Sequence, residues 1–243
     1  MKVRLNSALI AIAIVTTALI LADAFTNRNK KNNTISVTGL GSTSFTSDLI
    51  VWSGEFVRKS MVLREAYAQL DGDREAIRKY LVGKGLKAQN IVFSAVEISK
   101  EFDESYDENG NRIRAIFTGY KLTQRVQVES PEVDKVENLS RTVSELINTG
   151  IEFYSSSPQY YYTKLAELKV EMIAAATKDA NIRAQKIAEN AGSSVGRLKN
   201  AEMGVFQIVA ENSAEDFSWG GSFNTTSKRK TANITVRLDY EAD

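Results

Sequence analysis

The stretch "ISVTGLGSTSFTSDLIVWSGEF", Ile35 to Phe56, decides how the rest of the chain is read. Its Gly39-Leu40-Gly41 turn, set among hydroxyl side chains, is how a phosphate-cradling loop begins and also how a strand bends. A dinucleotide loop needs a third glycine and a helix whose N-terminus meets the pyrophosphate. Here the third position is Ser44, and Phe45 to Val57 reads as strand. A Gly-Lys-Thr phosphate loop is also absent. The nucleotide reading fails on context, and the glycines are read as bends. Ile35 to Gly41 and Leu49 to Arg58, rich in Val, Ile, Thr, Phe and Trp, predict two strands or one long bent hairpin.

Downstream, the pattern switches from period two to helical spacing. Met61 to Val82 places Leu63, Tyr67, Leu70, Ile77 and Leu81 on one side of a helix, weakened near its middle by Asp71-Gly72-Asp73 and ended by Gly83 and Gly85. Ile91 to Phe102 and Ile113 to Glu129 follow as strands, and Asn109-Gly110 between them predicts a type I′ hairpin turn. Ser130-Pro131-Glu132 then opens a short helix on Val136, Leu139, Val143, Leu146 and Ile147, ending at Gly150. Ile151 to Tyr154 is a short strand, and Ser157-Pro158 is expected to open the longest helix, running to Gly192. That helix carries Ala176, Ala180, Ala184 and Ala188, a small residue every fourth position, which is a packing face. Val195 to Val209 and Ala232 to Tyr240 close the chain as strands.

Strands and helices are mixed without strict alternation, which gives an α+β fold: antiparallel sheets with helices packed on one face. Two βαββ-like subdomains, residues 35–130 and 131–243, are expected, the second with a flexible Gly/Ser/Asn-rich loop over residues 211–228. A diverged internal duplication is an open alternative.

Composition mostly excludes. There are no cysteines and no histidines among 243 residues, which removes disulfides, thiolate nucleophiles, Ser-His-Asp and Cys-His hydrolysis and the commonest transition-metal ligand. Beyond residue 24 the charges balance at 29 basic and 29 acidic groups, and this neutrality gives no electrostatic case for nucleic acid. At the N-terminus, Lys2 and Arg4 precede an apolar run from Ala8 to Leu21 and then Ala22-Asp23-Ala24, the layout of an export signal. Residues 1–24 are thus a signal peptide or a membrane anchor, residues 7–25 approach the length that spans a bilayer, and residues 25–34 form a polar linker. Either way the body is expected in the periplasm or cell envelope.

Candidate chemistry is thin. The acidic tip from Glu101 to Gly110 invites a calcium reading, but in EF-hand register the position that needs a bidentate Glu is Ile116. Glu101 and Asp103 are the carboxylates available for a hydrolase of the glycosidic kind, with nothing that places them in a cleft. Ser227-x-x-Lys230 lies at a loop-to-strand junction and not at a helix start. Tyr160-Tyr161-Tyr162, expected in the first turn of the long helix, joins Trp52 and Trp219 as aromatics for stacking on a sugar or small molecule. No residue is assigned as catalytic, cofactor-binding or metal-binding.

With these residues in hand, the chain resembles the SIMPL-domain family, whose bacterial members include periplasmic immunogenic and oxidative-stress defence proteins. The resemblance covers about Ile35 to Tyr240. It rests on Val37-Thr38-Gly39-Leu40-Gly41, Leu81 through Gly85 with Ile91, Gly119-Tyr120, Asp179-Ala180, Arg183-Ala184, Lys186, Ala188, Ala191-Gly192 and Gly196. Ser47-Asp48 stands where the family often has Pro-Asp, and the late loop is Gly/Ser/Asn-rich instead of proline-rich. The resemblance implies an α+β fold, export and assembly into oligomers, and it brings no established catalytic residues. The expected function is a non-catalytic envelope protein that self-assembles, with a role in envelope or stress protection. The alternative is a periplasmic small-molecule or glycan-binding module.

Overall fold

The computed structural model describes residues 13–25, 34–213 and 218–242. Residues 13–25 are helical (α1) and exposed. The rest of the expected signal or anchor, and most of the 25–34 linker, lie outside the described residues. Among the described residues no helix is long and apolar enough to cross a membrane.

In chain order follow β1 (Thr34–Thr46), β2 (Leu49–Ser60), α2 (Leu63–Gly83), β3 (Ile91–Phe93), β4 (Glu97–Tyr106), β5 (Arg112–Ser130) and α3 (Val133–Thr142). Then come β6 (Phe153–Ser155), β7 (Gln159–Tyr161), α4 (Leu165–Ala191), β8 (Val195–Met203), β9 (Gln207–Ala210), β10 (Ser222–Phe223) and β11 (Arg229–Ala242). One sheet has the order β1-β11-β9-β10, with β8 also on β11. The other has the order β3-β5-β2-β6, with β4 on β5 and β7 on β2. The fold is α+β.

Two compact units form, and they are not the consecutive halves 35–130 and 131–243. The first comprises Met1–Ser42, Lys169–Phe206 and Asn233–Asp243, and the second Thr43–Leu168 and Gln207–Ala232. The reason is long-range pairing. β6 and β7 add to β2, which draws residues 131–168 into the sheet of the first half. β11 returns to lie beside β1, as the Ser36 Oγ bond to Asp239 across 203 residues shows. For the same reason β1 and β2 belong to different sheets and are not a hairpin.

The second unit is built on β2. Period-two alternation buries Ile50, Trp52 and Phe56 completely, and β5 runs antiparallel to it from Ile50↔Ser130 to Ser60↔Tyr120. α2 contributes Ala66, Leu70, Ile77 and Leu81 to this core, while Leu63 and Tyr67, expected on the same face, are exposed. Asp71-Gly72-Asp73 does not interrupt the helix. Asp73 is buried and takes two hydrogen bonds from the Arg58 guanidinium, at 2.5 and 2.8 Å, and Arg58 also donates to the Gly150 carbonyl. A buried carboxylate held in this way costs little only while its partner stays.

Two local expectations give way to competing contacts. The Asn109-Gly110 turn is not type I′, because Asn109 lacks a positive φ and only Gly110 has one, at 81°. The Asp107 carboxylate instead accepts the N–H groups of Asn109 and Asn111, and Gly110 N–H closes on the Asp107 carbonyl. The long helix starts at Leu165 and not at Pro158. Upstream of it Asp48 takes both the N–H and the hydroxyl of Thr163, and Tyr160 is drawn into strand β7 against Ile50. Within the expected 211–228 loop, Ser222 and Phe223 form β10, parallel to β9.

Candidate functional site

In the first unit, the family-like residues of β1 and α4 meet. Val37, Gly39 and Gly41 lie on the buried face of β1 against α4. A Cβ on Gly39 would stand 2.1 Å from the Ala176 carbonyl oxygen and 2.4 Å from the Ala180 nitrogen, and one on Gly41 2.4 Å from the Met172 carbonyl oxygen. The helix answers with Ala176, Ala180, Ala184 and Ala188, all buried. Small residues on both sides let two backbones touch. Leu40, between the glycines, donates its N–H to Asp179 Oδ2 at 2.9 Å, and Arg183 Nε holds the same oxygen at 2.9 Å. The Leu40 amide, and then Arg183, hold the Asp179 carboxyl below the usual carboxylate range. The opening glycines therefore face a helix backbone and not a ligand phosphate.

In the second unit, Lys230 is a buried cation. Period two along β11 puts it on the same face as Ala232, at the buried end of the strand. Its ammonium donates to the Tyr160 carbonyl and lies 5.6 Å from the centre of the Phe223 ring. Burial pushes its pKa down to about 8. Ser227, its partner in the Ser-x-x-Lys spacing, gives its backbone N–H to the Asn224 side chain, while the Lys230 ammonium is held by the Tyr160 carbonyl. Nearby Lys228 bridges Asp134 and Glu137 on α3. Glu137 also faces the Tyr160 hydroxyl, whose pKa is raised by burial first and by that carboxylate second.

An open pocket of about 300 Å³ adjoins this group, lined by Ser140, Arg141, the Ser155 to Ser157 run and Tyr160. Several of its polar groups are engaged in protein contacts. Ser155 Oγ accepts Trp52 Nε1 at 3.0 Å and donates to the Ser140 carbonyl at 2.9 Å, and Arg141 pairs with Glu137 at 2.6 Å.

The aromatics expected to stack on a ligand separate. Trp52 is fully buried, a correction whose cause is the central position of β2. Tyr160 is also buried, and Tyr162 packs on Phe45 at 4.7 Å between centroids. Trp219 is 90% exposed. The acidic tip is likewise dispersed: Glu101 pairs with Lys59 at 2.8 Å, Asp103 lies opposite Ile116, and Glu104 bonds Tyr106 and Arg112. Among the described residues, no three acidic side chains are grouped to hold a metal ion.

The β4–β5 arm is the feature that sequence reading missed. Nine of the ten β4 residues are exposed, and so is β5 from Arg112 to Ile116. Ile98, Phe102, Tyr106, Ile113 and Ile116 are all at least 40% exposed. Phe102, Phe117 and Tyr120 form an edge-to-face ladder along it, with centroids 5.8 and 5.1 Å apart. The signal was present in the sequence: Ile98, Phe102 and Tyr106 share one face of the strand, opposite a wholly polar face of Glu97, Ser99, Glu101, Asp103 and Ser105.

Residues 35–239 match the family described as SIMPL, protein of unknown function (DUF541), and the chain belongs to this family. No curated protein matches it.

Proposed function

We propose that this SIMPL-domain protein is an exported, non-catalytic component of the cell envelope that assembles into a homo-oligomer, with envelope or stress protection as its role. The observation that carries assembly is the β4–β5 arm, two strands exposed along most of their length with five large apolar side chains open to solvent. Exposed apolar surface of this kind marks an interaction site, and an isolated hairpin is marginal in water unless something covers it. Export rests on the charged start, the apolar run and Ala22-Asp23-Ala24, and the envelope is reached whether or not that segment is cleaved. A non-catalytic role fits a chain in which the acidic tip, the Ser-x-x-Lys pair and the glycine turn are each engaged in structural contacts.

The test is expression of the full chain in a bacterial host, with fractionation, mass spectrometry and light scattering of the recovered protein. An envelope fraction containing a species several times the chain mass is expected. A strictly monomeric protein at micromolar concentration defeats the assembly reading, and retention in the cytoplasm defeats export. The binding-module alternative keeps Trp219 but loses Trp52 and Tyr160 to the core. Saturable quenching of tryptophan fluorescence by cell-wall fragments, from a protein that stays monomeric, is the result that favours it.

A further inference from the structure

Several strands have an edge that pairs with no other strand among the described residues, and the two longest of them are β1 and β4. β1 pairs only with β11, and β4 only with β5. An unpaired edge is a template for another strand, and proteins that leave one open either blunt it or use it. On β1 the blunting is local. Ser47 N–H bonds Lys228 across the sheet, whereas Leu40 N–H turns to Asp179. By the alternation of an antiparallel strand, Ser36 and Thr38 therefore aim their backbone groups away from β11. Asp179 plugs the edge at Leu40 and leaves it open toward Thr34.

Beside that open stretch runs a groove of about 590 Å³, lined by Ser36, Val37, Thr38, Arg183, Lys186 and Ile187. It offers backbone donors and acceptors on one wall, two cations and an exposed isoleucine on the other. This is the equipment for strand addition: main-chain bonds for affinity, side chains for selectivity. The strand that fits is extended, carries acidic residues and has an apolar side chain for Ile187.

β4 meets that description. Its sequence, EISKEFDESY, holds four carboxylates against one lysine, with Ile98 and Phe102 exposed among them. In most registers, pairing β4 with its own copy sets carboxylate against carboxylate across the new strand pair, which is destabilising. The charges therefore reject arm-to-arm pairing and favour the Arg183 and Lys186 wall.

We infer that the subunits of this protein join by strand addition, β4 of one copy lying along the open edge of β1 in the next, in the groove walled by Arg183, Lys186 and Ile187. This rests on the assembly reading and specifies its geometry. Because arm and groove are different surfaces, the contact is heterologous and each copy both gives and receives. Such contacts generate a ring if the rotation closes and a filament if it does not. The contact is also salt-sensitive, since its charges lie near the surface.

The absence of cysteine makes the test clean. Thr38→Cys and Ser99→Cys, both at exposed strand positions, are made separately in the full chain, and each variant is checked by light scattering for the wild-type mass. They are then treated with a short bis-maleimide, alone and after mixing. A Thr38-to-Ser99 linked dimer formed on mixing, and from neither variant alone, is expected. A Ser99-to-Ser99 product from that variant alone overturns the inference in favour of arm-to-arm pairing. An oligomer of wild-type mass that yields neither product also overturns it, and leaves the assembly reading standing. A monomer in light scattering overturns both.

Discussion

The seam between β1 and α4 and the β4–β5 arm are both built on strands, yet they solve opposite problems. At the seam, backbone meets backbone with no side chain between, and every member of the contact is small or buried. On the arm, large apolar side chains project from strands that are covered on neither face. The seam is read as architecture because no ligand atom could enter it. The arm is read as an interaction surface because much of its apolar area stays in water in the monomer. Glycine at one site and phenylalanine at the other thus carry different kinds of information, about packing density and about a missing neighbour.

The comparison breaks most easily at Gly39. Gly39→Val inserts three carbons where the nearest backbone atoms stand 2.1 and 2.4 Å from the first. Because those atoms belong to a helix backbone they cannot swing aside, and a loss of about 3 kcal/mol or more is expected in chemical denaturation. Gly41→Ala acts in the same direction, without altering any affinity for nucleotides. A Gly39→Val variant as stable as wild type removes the seam as a constraint.

Lys230 sets the scale between the two extremes. Its folded pKa, about 8, lies below the ordinary 10.5, so the folded state holds its proton less tightly than the unfolded chain. The cost of the buried charge is fully present below pH 8 and is relieved as pH rises toward 10.5. Relative to Lys230→Met, wild type should gain up to about 3 kcal/mol over that window. Parallel stability curves for the two proteins contradict this.

A smaller effect, of opposite pH sense, sharpens the seam itself. The Asp179 carboxyl is held below its ordinary 3.8 by the Leu40 amide, so its contribution is present above that value and fades as pH falls through the lower folded pKa. Asp179→Asn should flatten this acid limb, read by thermal melts between neutral and acid pH. An unchanged acid limb separates Asp179 from the seam. The smallest change in monomer stability belongs to the arm: Phe102→Ser is expected within about 0.5 kcal/mol of wild type, while lowering the oligomer fraction in light scattering. A large stability loss with intact assembly reverses the roles assigned to the two regions.

Much of the fold was legible wherever a single segment carried its own signal. Period two gave β1 and β2, helical spacing gave α2, and the alanine row gave the packing face of α4. Errors arose where distant groups competed. Tyr160 was expected in a helix, but its N–H is taken by Thr225 and its carbonyl by Lys230, contacts 65 to 70 residues away that no local pattern contains. Trp52 was expected at the surface, although the alternation Ile50, Trp52, Phe56 already pointed inward. The interleaving of the two units was illegible for a related reason: β1 finds its neighbour about 200 residues later. Of the candidate site, the glycine turn was read as a bend and packs on the α4 backbone, but the arm was read only as a hairpin with an acidic tip.

Hydrogen exchange at increasing protein concentration compares the two regions in one experiment. The amides of Gly39 and Gly41 should be protected at every concentration, while those of Ser36 and Thr38 and the alternate β4 amides that face away from β5 should slow together as the protein assembles. Exchange on β4 that stays fast in a demonstrable oligomer, or that slows without any change at β1, would contradict the joining of copies through these two edges.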